Sequence, residues 1–381
     1  MLSNRKGRVK KCPLFAEPFQ AYIDNESLIL FDRKSGYVFG LEKESAALFL
    51  RLDELLKTYP EDEVLRFFPD IPAGYLKEMI DLRMGRKAGK ESYEPPLEIG
   101  PFRPDGTKRV HYSSGRITFA IAYPNRELFE YINPLFAHLA GQDAGGRKVN
   151  VDFSLTEEKW QIFFNETPVA APADLKSLPL VLQENMIILH YQCEPYLMAM
   201  HAGAIGKGAK AVVFPGCSGS GKSTLAAAMA AEGYDLYSDE IALVDEDGKI
   251  VSLPFCLNIK EGSWRVLQER FPDLPGALSY LRFDSQRVKL LPPPHLAKKR
   301  AAITALLFLE FDKKYTKPSL EPLSSCETLS RIKEAGYQLD RPLTQQRFEK
   351  ILSAVLQPEA YLLRYGSIED GIKEAGALLD G

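Results

Sequence analysis

Gly216-Cys217-Ser218-Gly219-Ser220-Gly221-Lys222-Ser223-Thr224 fits the pattern G-x-x-x-x-G-K-[ST] without a mismatch. Its flanks supply the context that this pattern needs. Ala211-Val212-Val213-Phe214 reads as a buried strand running into it. Leu225-Ala226-Ala227-Ala228-Met229-Ala230-Ala231 reads as the helix leaving it, and Gly233 as the stop. Strand, glycine loop and helix together form a cradle for phosphate oxygens. Glycines let backbone N–H groups turn inward without Cβ clashes, and the helix N-terminus adds partial positive charge. On this reading Gly216, Ser218, Gly219, Ser220, Gly221, Lys222, Ser223 and Thr224 bind a nucleoside triphosphate. Lys222 would reach the β- and γ-phosphates, and the Ser223 hydroxyl would ligate Mg²⁺. The residues leave ATP and GTP both open.

Around this stretch lies an ordinary composition. The 381 residues suffice for two or three domains. Hydrophobic residues make up 45% and charged ones 26%, as in soluble globular proteins. A net charge of −3 gives no sign of nucleic acid or an anionic membrane as partner. No apolar run approaches the roughly 20 residues of a spanning helix. Arg5, Lys6, Arg8, Lys10 and Lys11 read as a solvated tail and not as a secretory signal. The five cysteines are scattered and show no CxxC spacing, so neither a disulfide framework nor a zinc site is expected. A cytoplasmic protein is the economical expectation.

Residues 13–94 read as a unit. Ala21-Tyr22-Ile23 and Ser27-Leu28-Ile29-Leu30-Phe31 alternate like strands, and Asp32-Arg33-Lys34-Ser35-Gly36 reads as a hairpin turn. Residues 42–56 are helical by period, with Leu48, Leu52 and Leu55 on one stripe. Further helices are expected from Glu61 and over residues 73–82. Residues 83–96 have a linker's composition. Strands dominate 97–168, and a helix is expected over 184–197. Ala242-Leu243-Val244 and Ile250-Val251 flank a polar hairpin turn. Ala305 to Phe311 is strand-like, and 366–379 reads as an amphipathic helix.

Phosphoryl transfer also needs a carboxylate on the metal and a base on the nucleophile. The candidates are Asp239 and Glu240, which a helix, a Gly turn and a short strand would return beside the phosphates. Adjacent carboxylates on extended chain point to opposite sides unless the strand ends first. One would accept a hydroxyl proton while the other holds Mg²⁺ or its waters. Of the five histidines, His201 alone lies close in sequence to this site.

His201-Ala202-Gly203, the glycine loop, and Gly233-Tyr234 followed by Ser238-Asp239-Glu240 together resemble the HPr kinase/phosphorylase catalytic domain and its relatives. Those are bacterial serine kinases whose P-loop fold is similar to that of phosphoenolpyruvate carboxykinase. The resemblance implies an α/β P-loop kinase core over 97–381, divided into a strand-rich part (97–200) and the core proper (201–381). It implies His201 in the active site, Asp239 as the base and Glu240 in place of a second Asp. Ser223 and Glu240 would then hold the metal. The signature linked to HPr and to the reverse reaction is missing, so neither is expected. The chain looks more like relatives found beside peptide-modifying enzymes. Lys260, in Asn258-Ile259-Lys260-Glu261-Gly262-Ser263, resembles a lysine of that group that neutralises transferred phosphate; a plain surface lysine is the other reading. Arg287 is a weaker candidate. Residues 1–94 resemble PqqD-like domains, small α+β winged-helix-like modules that bind precursor peptides by strand addition.

The resulting expectation is an ATP- and Mg²⁺-dependent kinase acting on a Ser or Thr hydroxyl of a peptide or small protein recruited by residues 13–94. Neither nucleic acid nor membrane is expected as partner, and a homo-oligomer is compatible with this reading. A small-metabolite kinase is the second reading. A nucleotide-gated binding module with little turnover is the third. Because every candidate site residue lies beyond 94, the chemistry is expected to survive without the first unit.

Overall fold

The computed structural model describes residues 10–12, 18–24, 27–86, 97–141, 146–193, 195–282 and 285–380, in a mixed α/β arrangement of four sheets. Most of the expected linker, residues 87–96, and Arg5, Lys6 and Arg8 of the basic tail lie outside the described residues.

The chain opens with an antiparallel meander of β1 (Lys10–Cys12), β2 (Phe19–Ile23), β3 (Ser27–Asp32) and β4 (Val38–Glu42). Asp32 organises the turn between the last two. Its carboxylate accepts the Lys34 amide at 2.8 Å and the Ser35 hydroxyl at 2.6 Å, while Gly36 takes φ +74°. The helices α1 (Lys43–Leu55), α2 (Glu61–Val64) and α3 (Ala73–Arg83) follow. Phe49, Leu52, Leu76 and Ile80 of these helices pack on Phe19, Leu28 and Leu30. Arg83 is not linker. It ends α3, is buried, and pairs with Asp53 of α1.

A five-stranded sheet comes next: β5 (Val110–Ser114), β6 (Ile117–Ile121), then α4 (Arg126–Phe136), β7 (Arg147–Thr156), β8 (Lys159–Phe164) and β9 (Thr167–Ala170). The helix expected over 184–197 is α5 (Leu178–Gln192). It starts earlier because Pro179 suits the first turn. It ends earlier because Tyr196 and Leu197 already belong to a strand.

That strand is β10 (Tyr196–Lys207), which runs straight through position 200. It is followed by β11 (Lys210–Pro215), α6 (Lys222–Ala231), β12 (Asp235–Ser238), β13 (Ile241–Asp245) and β14 (Lys249–Val251). A smaller sheet with α7 comes next: β15 (Leu257–Lys260), α7 (Glu261–Leu267), β16 (Ser279–Leu281) and β17 (Arg287–Leu291). The chain then returns to the large sheet with β18 (Ala301–Phe311), β19 (Ser319–Pro322), α8 (Ser325–Ala335), β20 (Tyr337–Gln338), α9 (Gln345–Leu356), β21 (Glu359–Tyr365) and α10 (Ile368–Asp380). β11 runs parallel to β18, and β18 parallel to β21. On the other side β11 pairs with β10, which pairs in turn with β12 and β13. The alanine-rich α6 sinks into an apolar layer with Leu257, Ile259, Leu363 and Tyr365, because its small side chains allow close approach. Among the described residues, no helix is long and apolar enough to cross a membrane.

The N-terminal sheet is held tightly. All six residues of β3 are buried because both of its faces are covered. Leu28 and Leu30 face the unit's own helices, while Ile29 and Phe31 pack with Cys326, Phe348 and Leu352 of α8 and α9. Phe348 stacks on Phe31 at 5.0 Å and meets Tyr22 edge-on at 5.5 Å. Glu349 adds bonds from Lys11 at 2.7 Å and from the Tyr22 hydroxyl at 3.0 Å. Removing residues 1–94 therefore uncovers an apolar face of α8 and α9. Phe348→Ala should destabilise the protein by about 3–5 kcal/mol in denaturant unfolding, as truncation of a buried aromatic does. Unchanged stability would mean that the unit is only loosely attached.

Candidate active site

The glycine loop connects β11 to α6, as the sequence predicts. Gly219 and Gly221 both take left-handed backbone, at φ +92° and +95°, which favours glycine. A Cβ on Gly216 would lie 2.8 Å from the Ser220 Oγ. Gly221 caps α6, and a Cβ there would lie 3.1 Å from the Tyr365 hydroxyl. The Lys222 ammonium folds back over the loop, donating to the carbonyls of Gly216 at 2.6 Å and Cys217 at 2.8 Å. Burial first, and the Lys260 charge second, lower its pKa to about 8. The Ser220 Oγ is buried without a hydrogen-bond partner among the described residues. A glycine cradle that a Cβ would fill, an ammonium poised over it and an orphaned hydroxyl fit the phosphates of a nucleotide.

The acidic pair reaches the same place from the other side of β10. β12 ends at Ser238, so Asp239 and Glu240 lie in the bend before β13 and both line the cleft. The strand thus ends before both carboxylates, which removes the alternation that would have sent them to opposite sides. Backbone bonds fix the register. Ala202 N–H donates to the Glu240 carbonyl at 3.0 Å, and Gly216 N–H donates to the His201 carbonyl at 3.3 Å. The Ser223 hydroxyl points at the Asp239 carbonyl, 3.4 Å away.

Asp239 is the deeper carboxylate. Burial, followed by the Glu240 charge, raises its pKa to about 7, although the Asn258 amide donates to Oδ2 at 2.8 Å. Glu240 is more exposed. It accepts Asn258 Nδ2 at 3.1 Å and lies 3.8 Å from the Arg282 guanidinium. His201 faces the same cleft. Its Nδ1 is 3.1 Å from the Ala335 carbonyl, which assigns the proton to Nδ1 and the lone pair to Nε2. Burial, then the Lys222 charge, lowers its pKa and keeps the ring neutral near pH 7.

Lys260 lies at the edge of the cleft. It ends β15 and donates to the Ser218 hydroxyl at 2.6 Å. Thr224 is tied to α7 through the Ser263 hydroxyl at 2.5 Å. Arg287 lines the cleft from β17, stacked over Trp264 at 5.6 Å and 3.4 Å from Glu261. The cleft spans about 1150 Å³ and brings together His201, Lys222, Ser223, Asp239, Glu240 and Lys260. Sequence reasoning missed Asn258, Ser263 and Arg282 as partners of these groups. The alternation of β15, which sets Asn258 and Lys260 on one side, was the available signal for the first.

The chain matches no known family model and no curated protein.

The raised Asp239 pKa has a sign that can be tested. Below pH 3.8, its ordinary value, the carboxyl is protonated folded or unfolded and costs nothing. As pH rises through about 7 the folded state must bury a charge, and stability falls. Asp239→Asn removes that charge. In metal-free buffer at pH 8 it should gain roughly 2–4 kcal/mol, with the gain vanishing near pH 4. Denaturant unfolding at the two pH values measures this. A loss of stability at pH 8 would show that the carboxylate is paired and not strained.

Proposed function

We propose that this protein is an ATP- and Mg²⁺-dependent kinase with a P-loop core similar to that of HPr kinase, acting on a Ser or Thr hydroxyl of a peptide or small protein. The observation that carries the reading is the buried Asp239, raised by burial to a pKa of about 7, in the cleft that the P-loop and Lys260 also line. A phosphate cradle alone serves a switch as well as an enzyme. A carboxylate held near neutrality suits a general base, because it is both ionised in part and basic enough to take a proton.

The residues divide the work. The loop amides, Lys222 and Lys260 hold the phosphate oxygens, and their positive charge offsets the charge spread over them during transfer. The Ser223 hydroxyl and the Glu240 carboxylate would hold a Mg²⁺ ion, which would draw charge from the phosphate oxygens. Asp239 takes the acceptor's hydroxyl proton as its oxygen bonds to the γ-phosphorus and the bond to the nucleoside diphosphate breaks. His201, neutral and hydrogen-bonded through Nδ1, presents Nε2 as an acceptor beside these groups. Asn258 holds both carboxylates in place through its amide and its side chain.

The N-terminal unit, four antiparallel strands and their helices, supports a PqqD-like reading with a role in peptide recruitment. Its firm seat on α8 and α9 also favours a purely structural role, and with it the small-metabolite reading. The acceptor decides between them.

Lys222→Ala should abolish ATP hydrolysis and transfer, because the phosphates lose their central cation. Asp239→Asn should still bind MgATP yet lose transfer by ~10²–10⁴-fold, and His201→Ala should lower transfer in a folded protein. Labelled ATP with Ser- and Thr-containing peptides, small alcohols and HPr, read by mass spectrometry, tests the acceptor. Phosphate on a peptide hydroxyl and none on HPr is the expected result. Turnover unchanged by Lys222→Ala would remove the kinase reading altogether.

A further inference from the structure

Phe311 is a large apolar side chain left 46% exposed at the carboxyl end of β18, inside the cleft. Its ring rests edge-on against the buried Tyr365, 5.4 Å between centroids. The Tyr365 hydroxyl in turn lies 3.1 Å from a Cβ placed on Gly221 of the phosphate loop, and the Phe311 Cβ lies 4.0 Å from that point. One face of an aromatic platform is thus fixed from behind by a buried ring, immediately beside the loop. Val266 of α7, 41% exposed, lines the same cleft.

Sheet order says what this platform can serve. The strands follow one another as β13, β10, β11, β18 and β21. The loop leaves β11 in the middle. Asp239 and Glu240 stand on the β10 side, and Phe311 and Tyr365 on the β18 and β21 side. Phosphoryl transfer sets attacking and leaving oxygens roughly in line. With the base for the acceptor on the β10 side, the leaving diphosphate and its nucleoside extend to the opposite side, over the carboxyl ends of the parallel strands β18 and β21.

We infer that this part of the cleft is the nucleobase subsite, with Phe311 as the stacking surface for the base; the inference rests on the nucleotide reading above. Stacking reads the flat face that every base has, and the larger purines cover more of the ring. Phe311 therefore adds affinity for the nucleoside without touching the phosphates, which Lys222, Lys260 and the loop hold.

Calorimetric titration of MgATP and of magnesium tripolyphosphate into the full chain tests this. The wild-type protein should bind MgATP more tightly than tripolyphosphate. Phe311→Ala should weaken MgATP binding by about tenfold or more and leave tripolyphosphate unchanged, as loss of one base–aromatic stack predicts. Phe311→Tyr should keep wild-type affinity for both. Equal ATP affinity in Phe311→Ala would overturn the subsite, and so would a parallel loss for both ligands. Lys222→Ala separates the two readings, since it should weaken both ligands whether or not Phe311 stacks. A wild-type protein that binds neither ligand would overturn the nucleotide reading and the subsite with it.

Discussion

The site depends on one strand being paired along both edges. β10 takes β11 on one side and β12 and β13 on the other. Its two edges thereby bring the phosphate loop and the acidic bend, which leave neighbouring strands at the same end, to within one strand's width of each other. The bonds that do this are backbone bonds: His201 carbonyl to Gly216 N–H, and Ala202 N–H to Glu240 carbonyl. A slip of one residue in either pairing would turn the His201 side chain to the other face of the sheet and misalign the loop against Asp239. The small residues along this strand follow from the same constraint. A Cβ on Gly206 would lie 2.6 Å from both the Lys210 carbonyl and the Tyr237 ring.

Charges gathered by this pairing are uncomfortable in the protein alone. Asp239 is pushed up by burial and by Glu240, while Lys222 is pushed down by burial and by Lys260. Each group sits where desolvation opposes its charge and where a neighbour of like sign adds to the strain. A bound metal and phosphate chain would relieve both at once, pairing the lysines with anions and the carboxylate with a cation.

α8 joins the N-terminal sheet to this site. Near its start, Cys326 packs on β4 and donates to the Leu41 carbonyl at 3.6 Å, and Ser324 bonds to Glu42. At its end the carbonyls of Glu334 and Ala335 accept from Cys217 at 3.3 Å and from His201 at 3.1 Å. One eleven-residue helix therefore touches both the docked sheet and the phosphate loop. The first unit is part of the scaffold around the site as well as a candidate for recruitment.

The residues by themselves determined the local elements and the glycine loop between β11 and α6. A glycine pattern, an apolar strand before it and an alanine-rich helix after it are short-range features, fixed by backbone sterics and periodicity. The strands and turn of residues 27–42 and the helix ending at Asp380 were legible for the same reason. Tertiary structure decided the rest. Whether Asp239 and Glu240 face one cleft depended on β12 ending at Ser238, a matter of pairing with β10 and not of local propensity. Asn258, Arg282 and Phe311 come from other sheets and strands, and only long-range packing sets them beside the loop. The seating of the first unit was equally hidden. Ile29 and Phe31 read as one face of an ordinary hairpin until α8 and α9, some three hundred residues later, cover it.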